Sequence, residues 1–273
     1  MFMFGCKPPK FDMRDYKLIC GASNSFQKEY KLNPPEVKDQ KSVNSCVAHA
    51  TSSILEYFDS LKGDTHTLST NFIYGIQKKL CGHDGDGMYL NDACSIVKNY
   101  GDPIEILCRG NNEIPKAHKI AEAAYEKSGV LENAYCFKIK SYYTCTSTNA
   151  IKKSLTKGCP VLASIKWYNS YSVDSDGVIV NSQLGGYTYH AVMVYGWNER
   201  GFLCQNSWGV QWGDRGRFTL PYEIEFYEAK ALIDDSIDID ETDVKIPERN
   251  SFLDVIYKTI NFIVNFLRKL ILE

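Results

Sequence analysis

The hydrophobic pattern of the chain changes its period after about residue 127. Before that point, apolar residues recur at helical spacing, and a helix is predicted over 46–61 with one apolar face formed by Val47, Ile54, Leu55, Phe58 and Leu61. Asn44 and Ser45 place side-chain oxygens just ahead of it, which favours an N-cap there. The same spacing predicts helices near 68–79, 90–100 and 115–127, and one more at about 148–157.

The second half of the chain is dominated by short segments typical of strands. They read AYCFKIKSYY, CPVLASIKW, GVIV, YHAVMVYGW, GFLCQNSWG and GRFTL, and turn residues separate them. Helices followed by strands favour an α+β fold with two lobes, one helical and one antiparallel β, and a groove between them.

The composition limits the classes of partner. The chain has 273 residues, 44% of them hydrophobic and 13% aromatic, which is enough for one large domain or two lobes. A net charge of −2 and the lack of a Lys/Arg block argue against nucleic acid as a partner. The loop around His83 carries Asp84, Asp86 and Asp92, but their spacing is not that of an EF-hand, and no Cys/His cluster has zinc spacing. We therefore expect neither a metal nor a cofactor.

The two ends of the chain differ from its middle. The first residues lack the apolar core of a secretory signal, so the default expectation is an intracellular protein whose ten cysteines are reduced. Six acids in the ten residues 234–243 predict a solvated linker over 233–250. Residues 251–273 predict an amphipathic helix whose narrow polar stripe consists of Asp254, Lys258, Asn261, Asn265 and Arg268. Docking on the chain's own domain, contact with a membrane and contact with a partner protein all remain open for this helix.

Four residues together have the chemistry of an acyl-transfer site. Cys46 lies at the predicted start of a long helix, where unpaired backbone amides favour a thiolate. His190 opens an apolar strand 144 residues later, and Asn206 follows it by sixteen residues. An Asn oxygen can accept from one imidazole N–H and leave the other ring nitrogen facing the thiol. Gln40 supplies an amide that, with the Cys46 backbone N–H, can hold a developing oxyanion.

At these residues the chain resembles the papain-like cysteine proteases. The segments that carry the resemblance are DQKSVNSCVAHA, LSTNFIYG, YHAVMVYGW and CQNSWGVQWGDRGRFTL, the last being the most specific. The resemblance runs from about Lys10 to about Tyr222 and implies a helical left lobe and a β-barrel-like right lobe. It divides the chain into an N-terminal extension at 1–9, a protease domain at 10–232, the linker at 233–250 and the C-terminal helix at 251–273.

The resemblance also implies a role for each site residue. Cys46 would be the nucleophile of a thiolate–imidazolium pair, His190 its acid and base, Asn206 the group that orients the ring, and Gln40 the oxyanion donor. Trp208 would shield the Asn–His hydrogen bond from water. Two departures concern residues beside the nucleophile, since Val43 replaces a cysteine that is usually disulfide-bonded and Val47 replaces an aromatic residue. The long inhibitory propeptide of the family is also missing, so we expect that activity is controlled elsewhere or needs no such control.

The family's substrate subsites map onto this chain less specifically. Gly87 and Met88 fall where the family pairs its backbone with an extended substrate, and Leu90 and Ser164 fall at walls of the second subsite. Trp208 completes the predicted substrate-binding set. These positions predict an apolar or aromatic side chain two residues before the scissile bond.

The leading hypothesis is a cysteine endopeptidase that acts on polypeptides through an acyl-thioester. Three alternatives remain at this point. The same site in a papain fold would also serve a transpeptidase or acyltransferase, and a silent relative anchored by its C-terminal helix would be a binding module. An unrelated cysteine amidase acting on small molecules is the third.

Overall fold

The computed structural model describes residues 4–9, 15–19, 25–83, 85–110, 116–180, 184–239 and 243–245. Its helices are α1 Cys46–Leu61, α2 Thr70–Cys81, α3 Leu90–Asn99, α4 Lys116–Glu126, α5 Val130–Tyr135 and α6 Thr148–Thr156, with a short 3-10 turn at Glu105–Leu107. The five predicted helices are confirmed within two residues at each end. Helix α5 was not predicted, because six residues are too few to show a helical period.

The strands build one large mixed sheet and a small hairpin. They are β1 Lys17–Leu18, β2 Tyr30–Lys31, β3 Ser141–Cys145, β4 Val161–Tyr168, β5 Ser172–Val173, β6 Ile179–Val180, β7 Tyr187–Trp197, β8 Gly201–Gln205, β9 Arg217–Pro221, β10 Glu228–Ile233 and β11 Val244–Lys245. The large sheet has the order β11-β1-β3-β10-β4-β7-β8-β9, with β2 on β7, while β5 pairs with β6. Only β1 and β3 are parallel among the described pairs, so the α+β class is confirmed.

Two details of the strand prediction are wrong. The strand expected over AYCFKIKSYY begins only at Ser141, because its first residues belong to α5 and the turn after it. Strand β10, which joins β3 to β4, was missed, as were the two-residue strands β1, β2, β5 and β11. The β10 sequence EAKALI mixes Ala and a charged Lys230 into a buried strand, and this hides the alternation that marks a half-exposed one.

Helix α1 lies at the centre of the fold. It packs on α2 and α3 on one side and on β7 and β4 on the other. All its residues from Cys46 to Asp59 are buried, so the single apolar face seen in the sequence understates its burial. The buried Glu56 carboxylate is accommodated because it accepts from Lys38 Nζ at 2.6 Å and from the backbone of Leu68 at 2.7 Å. This position between two layers fixes the start of α1 against the sheet.

The predicted linker is not wholly solvated. Asp234 is 1% exposed and pairs with Lys62 Nζ at 3.0 Å, and β11 pairs with β1. Asp243 forms an ion pair with Lys153. Acidic residues can pack here because Lys62, which directly follows α1, and Lys153 of α6 pair with them. A count of charges along the chain does not reveal these pairs.

The C-terminal helix predicted at 251–273 lies outside the described residues, and the domain boundaries stay predictions. Among the residues that are described, no helix has the length and apolar character to cross a bilayer.

Candidate active site

The fold brings the start of α1 against the middle of β7. Cys46 is the first residue of α1 and His190 lies within β7. The backbone N–H of Ala191 donates to Cys46 Sγ at 3.4 Å, so the sulfur lies beside the residue that follows His190. Both Cys46 and His190 have no exposed surface. Two residues 144 positions apart in the sequence therefore share one buried site.

The start of α1 is arranged differently from the predicted N-cap. Ser45 occupies the cap position, but its side chain makes no capping hydrogen bond. The Asn44 amide instead bonds to the Asp86 carboxylate, which ties α1 to the loop before α3. Neither predicted cap residue therefore places a side-chain oxygen on the first-turn backbone N–H groups of this sixteen-residue helix. These N–H groups remain directed toward the helix start at Cys46.

The His190 ring is held from two directions. Its Nε2 lies 2.7 Å from Asn206 Oδ1, an oxygen that also accepts from the Ser207 backbone N–H at 2.8 Å. Because Asn206 Oδ1 can only accept, Nε2 carries the proton of the neutral ring. Trp208 stacks on the ring, with centroids 4.5 Å apart and planes 24° apart. His190 Nδ1 is buried and meets no hydrogen-bond partner among the described residues.

Gln40 lies beside the start of α1 and is 3% exposed. Its Nε2 donates to the Val43 carbonyl at 2.7 Å, and its Oε1 accepts from Ser207 Oγ at 2.6 Å. Its backbone N–H donates to the Ser207 carbonyl at 2.8 Å. These bonds connect Gln40 both to the α1 start and to the segment that carries Asn206.

The predicted substrate-binding residues lie on several elements of the fold. Gly87 has φ +81°, and the following Met88 forms a parallel bridge with Cys6. Ser164 in β4 lies level with Ala191 in β7 and Glu228 in β10. Leu90 opens α3 and is fully buried. Of the predicted set, Trp208 differs in position, because it covers the His190 ring.

Sequence reasoning missed three parts of this cleft. They are the Ala191 amide, the Glu228 carboxylate and the N-terminal residues 4–7, all of which approach the site only through tertiary contacts. No local sequence signal could have identified Ala191, because it contributes only its backbone N–H, a group that does not depend on the side chain. Glu228 could be found only with the register of β10 against β4 in hand.

A sequence model of the papain family cysteine proteases matches residues 23–233. That match spans well over half of the 273 residues. The chain belongs to the papain family. It is 28% identical over 162 residues to the cathepsin B-like cysteine proteinase 1 of Ostertagia ostertagi, covering 58% of this chain and 42% of that proteinase. The chain therefore spans less than half the length of that relative.

Solved structures show the same fold. Xylellain, a cysteine protease from Xylella fastidiosa, superposes with a TM-score of 0.73 at 23% identity, covering 85% of this chain and 96% of that one. Digestive procathepsin L 3 of Tenebrio molitor larval midgut gives a TM-score of 0.65 at 18% identity, covering 83% and 76%. Both likenesses show that this papain-family chain has the two-lobe papain-like fold.

Burial sets the charge state of the pair in this papain-family site. It raises the pKa of the Cys46 thiol to about 11, although hydrogen bonds from backbone N–H groups, with Ala191 the largest, act to lower that pKa. It also lowers the pKa of His190 to about 4, although the bond to Asn206 acts the other way. Both shifts favour neutral thiol and neutral imidazole in the described conformation.

His49 lies one turn beyond Cys46 and takes no part in the pair. It is 5% exposed, and its Nδ1 lies 2.9 Å from the Ser45 carbonyl. Burial lowers its pKa to about 4, with Lys38 adding in the same direction. The ring therefore helps to hold the first turn of α1 as a neutral group.

His49 and His190 predict acid sensitivity of the fold. Between pH 6.5 and 4 the unfolded chain protonates both rings while the folded chain does not, so the free energy of unfolding falls as pH drops through this window. Each ring contributes up to about 3 kcal/mol of this change. We expect His49→Gln to make the slope against pH shallower, as measured by urea unfolding at several pH values. An equal slope in wild type and variant would contradict the assignment of His49 as a buried neutral ring.

No group of three or more His, Cys, Asp or Glu side chains comes together within the described ranges. Asp84, part of the loop around His83, lies outside them. The nine described cysteines are all free thiols, including Cys46 and the exposed Cys136.

Proposed function

We propose that this chain is a cysteine endopeptidase in which Cys46 attacks peptide carbonyl carbons and His190 transfers the protons. The observation that carries the proposal is the joint placement of the Cys46 sulfur against β7 and the 2.7 Å bond from His190 to Asn206. Membership of the papain family supports the reaction class. A nucleophile, an oriented base and an amide donor beside them make up an acyl-transfer site.

The reaction begins with proton transfer inside the pair. The Cys46 S–H proton moves to His190 Nδ1, which leaves a thiolate and an imidazolium without net proton uptake. Asn206 favours this state, because its oxygen accepts from Nε2 of the charged ring. The burial that keeps both groups neutral in the described conformation has to be relieved first, so an open, hydrated cleft is the reactive form.

Acylation then forms a thioester. The Cys46 sulfur bonds to the carbonyl carbon, and the carbonyl oxygen becomes an oxyanion within reach of the Cys46 backbone N–H and Gln40 Nε2. Such donors commonly contribute two to three orders of magnitude to the rate. The C–N bond breaks when His190 Nδ1 returns its proton to the leaving amine.

Deacylation repeats these steps with water. The neutral His190 takes a proton from water as its oxygen attacks the thioester carbon, and collapse breaks the C–S bond to release the carboxylic acid. Trp208 keeps bulk water from the Asn206–His190 bond, since its ring covers the imidazole at 4.5 Å. An added amine that replaces this water would give a new peptide bond instead, as in a transpeptidase.

The cleft supports a substrate bound as an extended strand. Gly87 and Met88 would pair with substrate backbone, and the apolar walls Met88 and Leu90 favour an apolar side chain two residues before the scissile bond. Glu228 adds a carboxylate to the same pocket, where it lies 3.3 Å from Lys230 Nζ. That ion pair offsets its charge and keeps an apolar side chain acceptable.

The proposal predicts cleavage of unfolded protein. With thiol reductant present, we expect the chain to cut a carboxymethylated, unfolded protein at internal bonds, as read by mass spectrometry of the products. Adding a primary amine distinguishes hydrolysis from transpeptidation, because only the latter yields amine-extended peptides as the main product. A chain that cleaves only small amides or esters, or binds the unfolded protein without cutting it, would contradict the endopeptidase.

A further inference from the structure

A cavity of about 390 Å³ lies beside the His190 ring. Two of its walls are rings that also hold the imidazole. Trp208 stacks on His190 with centroids 4.5 Å apart, and Trp167 meets it edge-on at 5.5 Å. Cavities of this size are typical of ligand sites. A side chain held here would lie next to the group that transfers the protons.

The cavity lies on the side of the site that receives the leaving amine. Along β4 and β7, Trp167 and His190 project to one face of the sheet, while Ser164 and Ala191 project to the other. Ser164 belongs to the walls predicted for the residue two before the scissile bond. His190 returns its proton to the amine that the broken bond releases, so the residues after that bond pass on the His190 side. The cavity is therefore within reach of a side chain that follows the scissile bond.

Four aromatic rings line the cavity at steep angles to one another. Trp208 and Trp212 have centroids 4.9 Å apart and planes 89° apart. Trp167 meets Trp208 at 4.9 Å and 78°, and it meets Tyr171 at 5.7 Å and 68°. Such rings form the walls of a concave pocket instead of one flat stack. The face of an aromatic ring carries negative potential, most of all in tryptophan, and it attracts cations.

Asp174 adds a carboxylate to the same cavity. Its Oδ1 accepts from the backbone N–H groups of Asp176 at 2.9 Å and Val178 at 2.8 Å, which fixes the carboxylate at the turn after β5. The nearby Asp176 pairs with Arg200 at 3.0 Å. Asp174 has no such partner, since no basic side chain of the described residues pairs with it. The cavity thus combines aromatic walls with a negative charge that no described cation offsets.

We propose that this pocket, lined by Trp167, Tyr171, Trp208, Trp212 and Asp174, binds a lysine or arginine side chain one or two residues after the scissile bond. This inference rests on the proposed function, because it concerns the substrate of that site. The apolar stem of such a side chain would pack on the rings, and its charged end would reach the carboxylate. An uncharged apolar side chain would gain the first contact without the second, so the charge decides the preference.

The test compares peptides that differ by a single amine. One peptide has lysine directly after the scissile bond, and the other has norleucine, which keeps the unbranched four-carbon chain without the charge. A second pair places the same two residues one position further on, and mass spectrometry of the products locates the bond that is cut. We expect the wild-type chain to cleave the lysine peptide of at least one pair with about tenfold higher kcat/KM. This ratio does not depend on how much of the enzyme is active.

Asp174→Asn is the decisive variant. The amide oxygen of asparagine can still accept from the N–H groups of Asp176 and Val178, so the substitution removes the charge and keeps the turn. We expect the lysine preference to fall to about threefold, which the rings alone supply, while cleavage of the norleucine peptide stays unchanged. Added salt should weaken the preference in wild type and have less effect in Asp174→Asn, because it screens the carboxylate.

Two further variants control this result. Asp176→Asn removes a carboxylate two residues away whose partner is Arg200, and it should keep the tenfold preference. Trp212→Leu keeps an apolar wall but removes one aromatic face, so the lysine preference should fall here as well. It decides the question if Asp174→Asn does not fold, as shown by circular dichroism.

A binding measurement tests the pocket without cleavage. In the Cys46→Ala chain, titration followed by tryptophan fluorescence should give a Kd about tenfold lower for the lysine peptide than for the norleucine peptide. Adding Asp174→Asn to this chain should reduce that difference.

The outcomes separate the two proposals. Cleavage with equal kcat/KM for lysine and norleucine at both positions would overturn the pocket and leave the endopeptidase standing. The same holds for a lysine preference that the folded Asp174→Asn and Trp212→Leu variants keep in full. Tighter binding of the lysine peptide without cleavage by wild type would support the pocket and refute the endopeptidase. Absence of both cleavage and lysine-dependent binding would overturn both.

Discussion

Cys46→Ala is expected to lower the rate of peptide hydrolysis by about 10⁴-fold or more, to the background of the assay. The reason is that Cys46 Sγ lies against β7, where it accepts from the Ala191 N–H at 3.4 Å beside His190. Removing a nucleophile removes both chemical steps, since neither the thioester nor its hydrolysis remains available. The measurement is cleavage of unfolded protein by the full chain with and without this substitution.

Cys136→Ala is the control for this loss. Cys136 is an exposed thiol at the end of α5, outside the cleft, so its removal tests whether losing a thiol in general affects the assay. We expect unchanged cleavage. A short incubation with substrate followed by acid quenching should also show an acyl adduct on the peptide that contains Cys46. Cleavage retained in Cys46→Ala, or an adduct on another cysteine, would show that the nucleophile has been misassigned.

Local sequence patterns predicted the helical half of the fold well. Helix α1 begins and ends where its apolar spacing predicts, at Cys46 and Leu61. Its burial on all sides could not be predicted, because burial of Glu56 depends on Lys38 and Leu68, which reach it through the tertiary fold. Strand β10 was missed for a related reason, since Lys230 is a charged residue that only its partners Asp15 and Glu228 make acceptable inside the sheet.

The four predicted site residues come together in the structure, and their environment was the part that could not be anticipated. Motif and resemblance identify residue types, whereas charge state depends on what excludes water. The sequence predicted an ion pair at Cys46 and His190, but in the described conformation burial raises the pKa of Cys46 to about 11 and lowers that of His190 to about 4. Phe4 contributes to this burial, because its ring lies edge-on to His190 with centroids 5.6 Å apart. Nothing in the composition of the first residues predicts this contact with a residue so distant in the sequence.

The second large effect concerns His190. We expect His190→Ala to lower cleavage by about 10⁴-fold and to slow alkylation of Cys46 at pH 6 by roughly a hundredfold or more, both relative to the wild-type chain. Without the ring, the thiol returns toward the ordinary pKa of about 8.5, so only roughly one molecule in 300 is a thiolate at pH 6. The pH at which alkylation of Cys46 reaches half its maximum rate should rise toward that value. A purely structural role of His190 would not produce such a shift.

Asn206 supplies the matched test of this assignment, because it acts only through the ring. Asn206→Ala should reduce cleavage less than His190→Ala does, by removing the acceptor 2.7 Å from Nε2. In a His190→Ala background the same substitution should have no further effect, since the group that it positions is gone. Additive losses in this double-mutant cycle would show that Asn206 contributes independently. An alkylation profile unchanged by His190→Ala would mean that the imidazole does not ionise the thiol, and the proposed proton transfer would then have to be abandoned.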